Sequence, residues 1–180
     1  MIKPCMNLST GDAALDFVDR ARAGIDARAE GIDHDAMAMV LLLHRVTNTV
    51  VYDLESGVHR PAGWTWAAFR LLFTLWLGGP TESSRAAELS GMSRQAVSAL
   101  TKTLVADGLV ERAPGTTDAR LAVLSLTPDG ERRLATAYGT HNERESRWAA
   151  ALDDDERRTL IELLSKLASA ARQPWVNHRF

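Results

Sequence analysis

The stretch that decides the fold is TESSRAAELSGMSRQAVSALTKTLVADGLVERAPGTTDARLAVLSLT, residues 81–127. Its first half predicts two short helices separated by a sharp turn at Gly91. We expect Thr81 or Ser83 to cap the first helix, which ends near residue 90. Ser93 is the expected cap of the second helix, and Gly108 ends it, because glycine adopts a positive φ at low cost.

The second half of this stretch predicts a β-hairpin. Its strands are expected at 109–112 and 121–126, on either side of a polar tip at 113–118. A helix-turn-helix followed by a hairpin is a winged helix-turn-helix, and such units commonly read duplex DNA. The fold class is therefore mainly α-helical with a small β-hairpin wing.

The second helix of this unit has two different sides. Val97, Leu100 and Leu104 recur at helical spacing and are expected to face the core. The opposite side is predicted to carry two cations and several small hydrogen-bonding groups, namely Arg94, Gln95, Ser98, Thr101 and Lys102. Cations suit phosphates or guanine, and glutamine suits adenine, so this side is a candidate for the major groove. An ordinary solvated helix face is the alternative.

Composition and charge limit the possible functions. The chain has 180 residues, 46% hydrophobic and 24% charged, with a net charge of −2. The charge is uneven, since residues 93–106 hold two cations and no acid. DNA contact would therefore depend on a narrow basic face and not on bulk charge. We expect no secretory signal and no membrane span, and the single cysteine, Cys5, suits the cytoplasm.

The helices that flank the winged unit carry more apolar surface than one chain should expose. The predicted helix at 33–56 has two apolar stripes, and the last helix has a broad one from Leu160 to Ala171. Association with a second copy explains both. The predicted layout is a flexible tail (1–10), N-terminal dimerisation helices (11–56), a winged helix-turn-helix lobe (57–127), C-terminal dimerisation helices (128–172) and a second tail (173–180).

The residues LSGMSRQAVSALTKTLVADGLVER and DARLAVLSLTPDG, with this order of helices, resemble the MarR family of bacterial transcription regulators. The resemblance covers about residues 33–172. Its most specific part is Asp118-x-Arg120 followed by Leu126-Thr127-x-x-Gly130. The chain departs from the family pattern in three features: a wing tip without a cation, a winged lobe that is not net basic, and an additional helix at 11–30.

The resemblance implies a homodimeric DNA-binding regulator, most often a repressor, on a pseudo-palindromic operator. The helix from Ser93 to Asp107 would enter the major groove. Arg120 would reach the minor groove, where a narrow groove attracts a guanidinium, and Asp118 would orient it. The alternative for this pair is a surface ion pair of little energetic value. The predicted DNA-binding set is Ser93, Arg94, Gln95, Ser98, Thr101, Lys102, Arg112, Asp118 and Arg120.

Many family members release DNA when a small aromatic or phenolic acid binds. Aromatic walls beside a cation or histidine would suit such a ligand. The candidate residues are His44, Arg45, His59, Trp64, Trp66 and Arg70, with core tryptophans and surface cations as the alternative reading. Another branch of the family senses peroxides through a cysteine near its first helix, but Cys5 lies in the predicted flexible tail, well before the corresponding helix.

An enzyme is the competing class of protein. The five histidines are scattered, and there is no HExxH, no GxSxG and no glycine-rich phosphate loop. Paired metal ligands are absent from the sequence as well. We therefore expect no catalytic residues, no metal and no cofactor. A winged-helix module that binds protein instead of DNA remains a further alternative.

Overall fold

The computed structural model describes residues 10–115 and 121–176. The chain divides into two compact units, Met1–Asp53 and Leu54–Phe180. The first unit contains α1 (Thr10–Gly24) and almost all of α2 (His34–Leu54). The N-terminal tail and Cys5 lie outside the described residues.

Ionic and aromatic contacts join α1 to α2 in the first unit. Arg22 pairs with Asp35 at 2.7 Å, and the guanidinium of Arg45 lies over the ring of Phe17 at 4.5 Å. Few apolar side chains are buried there, and α2 exposes Met39, Val40, Leu42, Leu43 and Val46. The sequence predicts that a second copy of the chain covers the apolar stripes of this helix, and within the single chain these five side chains are exposed.

The second unit begins with a π-helix, Glu55–His59, that directly follows α2 in the chain. Three helices come next: α3 (Trp66–Gly78), α4 (Ser83–Ser90) and α5 (Arg94–Ala106). The hairpin strands are β2 (Val110–Pro114) and β3 (Ala122–Leu126), and α6 (Pro128–Ala149) and α7 (Asp154–Ala170) complete the unit. The predicted fold class is confirmed by this order of elements.

The sheet has one strand more than the sequence predicted. β1 (Thr81–Glu82) pairs antiparallel with β3, so the strand order is β1-β3-β2. Thr81 lies opposite Leu124 and is bound into this strand. The predicted cap of α4 by Thr81 or Ser83 is therefore wrong, because Glu82 precedes the helix without a side-chain cap bond.

Three other helices begin with a side-chain cap, and that of α5 is the predicted one. Ser93 accepts a hydrogen bond from the amide of Ala96, and Thr127 accepts one from the amide of Gly130. Asp153 and Glu156 form a capping box at the start of α7. These caps satisfy amide groups that a helix leaves without partners in its first turn.

The core of the second unit lies between α3, α4, α5 and the sheet. Leu71, Leu72, Val97 and Leu134 are fully buried in it. The start of α6 lies very close to the backbone just before β2. A Cβ on Gly130 would collide with the carbonyl oxygen of Leu109. The amide of Thr127 donates a hydrogen bond to the carbonyl of Leu109. The hydroxyl of Thr127 donates one to the carbonyl of Gly108 at 2.7 Å. Only glycine permits this approach, which explains the Leu-Thr-x-x-Gly pattern.

Candidate nucleic-acid interface

The turn before α5 is fixed from two directions. Gly91 ends α4 in the left-handed region at φ +61°, as the sequence predicted. Arg70 on α3 donates a hydrogen bond to the carbonyl of Ser90, and its Nη2 atom would lie 2.9 Å from a Cβ at Gly91. Burial lowers the pKa of Arg70 below its ordinary value. The start of α5 is therefore tied to α3 as well as capped by Ser93.

The inner side of α5 is buried largely as predicted. Val97 and Leu104 are buried as expected, whereas Leu100 is only partly buried. Thr101 is also buried, with 6% of its surface exposed, and its hydroxyl has no hydrogen-bond partner among the described residues. Thr101 was predicted on the exposed outer face; it is buried, and it lines the cavity between α5 and the wing together with Ser98 and Lys102.

The outer side of α5 has the predicted chemistry. Four side chains of the predicted set are exposed along it: Arg94, Gln95, Ser98 and Lys102. Arg112 is exposed on β2. Ser98, Lys102 and Arg112 line one cavity of about 350 Å³ between α5 and the wing. The fold thus brings two cations from separate elements to one concave surface, which we call the α5–wing face.

The remaining predicted wing residues, Asp118 and Arg120, lie outside the described residues. Next to the strand end, Ser125 donates a hydrogen bond to the carboxylate of Glu111 at 3.1 Å. Glu111 alternates with Arg112 along β2, so its carboxylate is on the other side of the strand. The acid therefore does not neutralise the cations of the α5–wing face directly.

The predicted ligand residues fall into separate places. Trp66 and Arg70 line a cavity of about 230 Å³ between α3, the end of α4 and α6. Trp64 is buried beside a different cavity of about 610 Å³, where Arg133 lies 5.7 Å from its ring. His44 and Arg45 belong to the first unit, in which His44 is exposed and contacts Asn48.

His59 is buried completely, within a stack of aromatic rings. Its ring lies 4.2 Å from that of Phe69 and 5.4 Å from that of Trp66. Its Nε2 atom is 3.0 Å from Nδ1 of His141 on α6. His59 lines neither of these two cavities.

The sequence did not identify the other residues that complete the smaller cavity. Phe73, Tyr138, His141 and Glu145 line it together with Trp66 and Arg70. Three of them lie on α6 at helical spacing, so periodicity could have grouped them with one another. Because these α6 residues are far from α3 in the sequence, nothing in the sequence indicated that they would line a cavity with it.

The described residues contain no cluster of three or more histidine, cysteine, aspartate or glutamate side chains that could hold a metal ion. None of the helices in the described ranges is long and apolar enough to cross a membrane.

Comparison with known proteins gives the family. The model of the MarR family matches residues 62–121, which contain α3, the helix-turn-helix and the first strand of the wing. The uncharacterised HTH-type transcriptional regulator YwaE of Bacillus subtilis (strain 168) is 30% identical over 139 residues, 77% of this chain and 81% of YwaE. The chain belongs to the MarR family of transcription regulators. It is thus a member of a family of regulators and not of enzymes.

Solved structures agree with this assignment. The transcriptional repressor CouR, bound to a 23-mer DNA duplex, matches with a TM-score of 0.67 and 26% identity, over 78% of this chain and 99% of CouR. BpsR of Bordetella bronchiseptica matches with a TM-score of 0.65 and 21% identity, over 71% of this chain and 96% of BpsR. The BpsR structure concerns regulation of its DNA binding by 6-hydroxynicotinic acid, and the likeness to it shows the fold alone.

Proposed function

We propose that this MarR-family regulator is a homodimeric, sequence-specific DNA-binding repressor that a small aromatic or phenolic ligand releases from its operator. The observation that carries this proposal is the α5–wing face. It presents Lys102 and Arg112 from two elements beside the exposed Ser98, and Arg94 and Gln95 extend it along the helix.

The α5–wing face has the chemistry that a duplex requires. Lysine and arginine bind phosphates and fix the register of the protein, while glutamine can pair with adenine in the major groove. Small residues such as Ser98 allow the helix to approach the bases closely. CouR, which shares this fold, is a repressor bound to a duplex. Asp118 and Arg120 remain predicted contributors from the wing.

The low net charge has a measurable consequence for DNA binding. With a net charge of −2, the protein gains little from long-range attraction to DNA. Affinity would then depend on a few phosphate contacts, each of which changes the slope of log K against log salt by roughly −0.9. We infer that loss of one cation from the face weakens binding visibly.

A homodimer is supported by the surface of α7. No residue of this helix is buried, and its apolar side chains Leu160, Ile161, Leu163, Leu164 and Leu167 are between 39% and 59% exposed. A soluble monomer rarely leaves so continuous an apolar surface in water. Two copies related by a two-fold axis would present two α5 helices, which fits a pseudo-palindromic operator. In this layout 11–56 and 128–172 would be dimerisation regions and 57–127 the DNA-binding lobe.

The ligand proposal is supported by the cavity that Trp66 and Arg70 share. Aromatic walls and a guanidinium suit an aromatic acid. Arg70 also donates to the carbonyl of Ser90, at the turn before α5. A carboxylate that attracts this guanidinium would loosen the turn, so ligand and DNA would favour different arrangements of α5. A DNA-bound repressor of this kind would act in the cytoplasm.

The test is binding of the full-length protein to random-sequence duplex DNA at several salt concentrations. Lys102→Ala and Arg112→Ala should each weaken binding and reduce the salt slope by roughly 0.9. Arg85→Ala is the matched control, because Arg85 is an exposed cation on α4 that pairs with Glu88. If both face variants bind DNA as the control does, the DNA-reading proposal fails and a protein-interaction module becomes the better account.

The ligand is tested separately, with hydroxylated benzoic acids added to the protein–DNA complex. We expect at least one of them to dissociate the complex, and Trp66→Leu to weaken this response. Thr136→Ser, in the other cavity, should respond as the original protein does. If none of the acids changes DNA binding, the ligand proposal is wrong while the DNA-binding proposal stands.

A further inference from the structure

Two buried histidines join the π-helix to α6. His59 has no exposed surface, and His141 is 3% exposed. Although 82 positions separate them in the sequence, Nε2 of His59 lies 3.0 Å from Nδ1 of His141. Short π-helical segments are uncommon and frequently occur at functional sites. The contact therefore fixes an unusual backbone segment to a long helix through a single hydrogen bond.

The neighbouring groups determine where the protons lie. Nε2 of His141 is 3.0 Å from a carboxylate oxygen of Glu145, so the imidazole donates this N–H to the carboxylate. The other carboxylate oxygen accepts from Asn142. A neutral His141 then has a lone pair on Nδ1, and His59 must donate to it from Nε2. This leaves Nδ1 of His59 unprotonated, buried and without a partner among the described residues.

A second proton on His59 would meet no acceptor. Trp66 and Phe69 of α3 cover its ring with uncharged surface. Burial, and next the charge that His141 can carry, lower the pKa of His59 from 6.5 to about 4, while Glu55 opposes this shift. Glu55 itself is paired with Arg60 at 3.3 Å. The closed contact thus requires a neutral His59.

Other ionisable side chains near the pair do not remove this requirement. Arg144 on α6 lies against Gly57 of the π-helix. Arg70 and Glu145 line the cavity that His141 also lines, and Tyr138 completes its wall. Arg70 is already bound to the carbonyl of Ser90. The carboxylate of Glu145 is already engaged by His141.

We propose that the His59–His141 contact is a proton-sensitive latch, which holds the π-helix against α6 and the start of α3 and opens on acidification. In the open form His59 is hydrated and can take up a proton at the pKa of an ordinary histidine. Protonation therefore draws the equilibrium toward the open form, because only that form accepts the proton at mildly acidic pH.

The latch has a physical route to the turn before α5. His59 stacks on Phe69, the neighbour of Arg70, and Arg70 binds Ser90 next to Gly91. Opening would loosen α3 at the point from which Arg70 reaches the turn. The expected weakening of DNA binding rests on the proposed function, whereas the opening itself does not.

The size of the effect follows from one proton. Between pH 7.5 and pH 5.5, a group with a pKa of 6.5 in the open form and about 4 in the closed form shifts the equilibrium about tenfold toward opening. Hydrogen exchange of the amides at 55–63 in the full chain measures this, after correction for the intrinsic effect of pH on exchange. Opening should be about tenfold more frequent at pH 5.5.

The matched variants are His59→Phe and His44→Phe. Phenylalanine keeps a ring in the stack but cannot be protonated, so His59→Phe should lose the tenfold change. His44 is exposed on α2, and its variant should keep the change. Equal opening of the original protein at both pH values would refute the latch. A tenfold change that survives in His59→Phe would refute it too, because another group would then be responsible.

Two further measurements keep the proposal testable if His59→Phe does not fold. Nitrogen NMR of the original protein at pH 7.5 should show His59 protonated on Nε2 alone, and a ring protonated on both nitrogens would contradict the latch. DNA binding should weaken at pH 5.5 in the original protein more than in His59→Phe. If the latch opens at pH 5.5 but DNA binding weakens equally in both proteins, the proposed coupling of the latch to the turn before α5 is refuted. Absence of DNA binding at both pH values would count against the proposed function instead.

Discussion

Two leucine-rich helices of the second unit, α3 and α7, have opposite environments. Leu71, Leu72 and Leu75 of α3 are at most 2% exposed, whereas Leu160 and Leu163 of α7 are 43% and 50% exposed. Both helices have the periodic apolar residues of an amphipathic helix. The difference shows that α3 obtains its partners from α4, α5 and the sheet, while α7 lacks such partners within the part of the chain that the structure describes. The core of the winged lobe is thus complete in one chain, and the surface of α7 is not.

The largest expected effect is a loss of stability in the winged lobe, whose core is complete within one chain. Gly130→Ala places a Cβ against the carbonyl of Leu109, where backbone and not a flexible side chain must move. We expect a loss of about 3 kcal/mol in the free energy of unfolding, which lowers Tm by roughly 10 °C. Gly139→Ala in the same helix is the control, because a Cβ there meets nothing within 4 Å and should leave Tm unchanged or raise it. Equal Tm values for the two variants would contradict the close contact between Gly130 and the carbonyl of Leu109.

The second prediction tests whether a second copy of the chain covers the exposed apolar face of α7. Leu164→Glu puts a charge in the middle of the apolar face of α7 and should weaken the proposed homodimer about 100-fold, equivalent to about 3 kcal/mol. Analytical ultracentrifugation measures the dimer dissociation constant. Ser165→Glu adds the same charge at the adjacent position and should change it much less. A protein that is monomeric before substitution would show that α7 is not a homodimer surface.

The third prediction concerns the pH dependence of the complete core. The pKa of His59 is lowered from 6.5 to about 4 in the folded protein, so the unfolded chain takes up this proton first as the pH falls. Stability is therefore fully present above pH 6.5, decreases between 6.5 and 4, and levels off below. Between pH 7.5 and 5.5 the loss from this group should be about 1 kcal/mol. Denaturant titrations of the original protein and His59→Phe measure the difference, and a parallel decline in both would contradict it.

The smallest expected effect comes from comparing a buried residue of α5 with an exposed one. Thr101→Val removes a buried hydroxyl without a partner, so DNA affinity should stay unchanged and the free energy of unfolding should rise or stay within about 0.5 kcal/mol. Ser98→Val, on the exposed side, should weaken DNA binding. Fluorescence anisotropy with labelled duplex compares them. Weaker DNA binding by Thr101→Val would instead support the DNA-contacting role that the sequence suggests for Thr101.

Local chemistry explains why much of the fold could be predicted. A helix cap such as Ser93, or a left-handed glycine such as Gly91, depends on residues within four positions and leaves a signature in the sequence. The exposed cations of α5 were also predictable, because helical spacing separates them from Val97. Even so, the same reasoning misplaced Thr101, since the width of a buried helix face depends on what packs against it.

Contacts between distant residues could not be predicted from one sequence. β1 has two residues and exists only because β3 lies beside it. The His59–His141 contact joins positions 82 apart, and neither histidine stands in a recognisable motif. The proposed ligand residues were likewise predicted as one set, whereas Trp64 and Trp66 line different cavities. Side-chain type suggested their chemistry, but only tertiary packing decides which of them meet.

Selection of bound sequences from random duplex DNA by the full-length protein tests the central claim most directly. A homodimer that reads DNA with two α5 helices should enrich a pseudo-palindrome whose half-sites lie about one helical turn, roughly 10 base pairs, apart. The double variant Lys102→Ala and Arg112→Ala, selected in parallel, should enrich it weakly or not at all. Absence of any enriched palindrome with the original protein would contradict the account of a sequence-specific dimeric regulator.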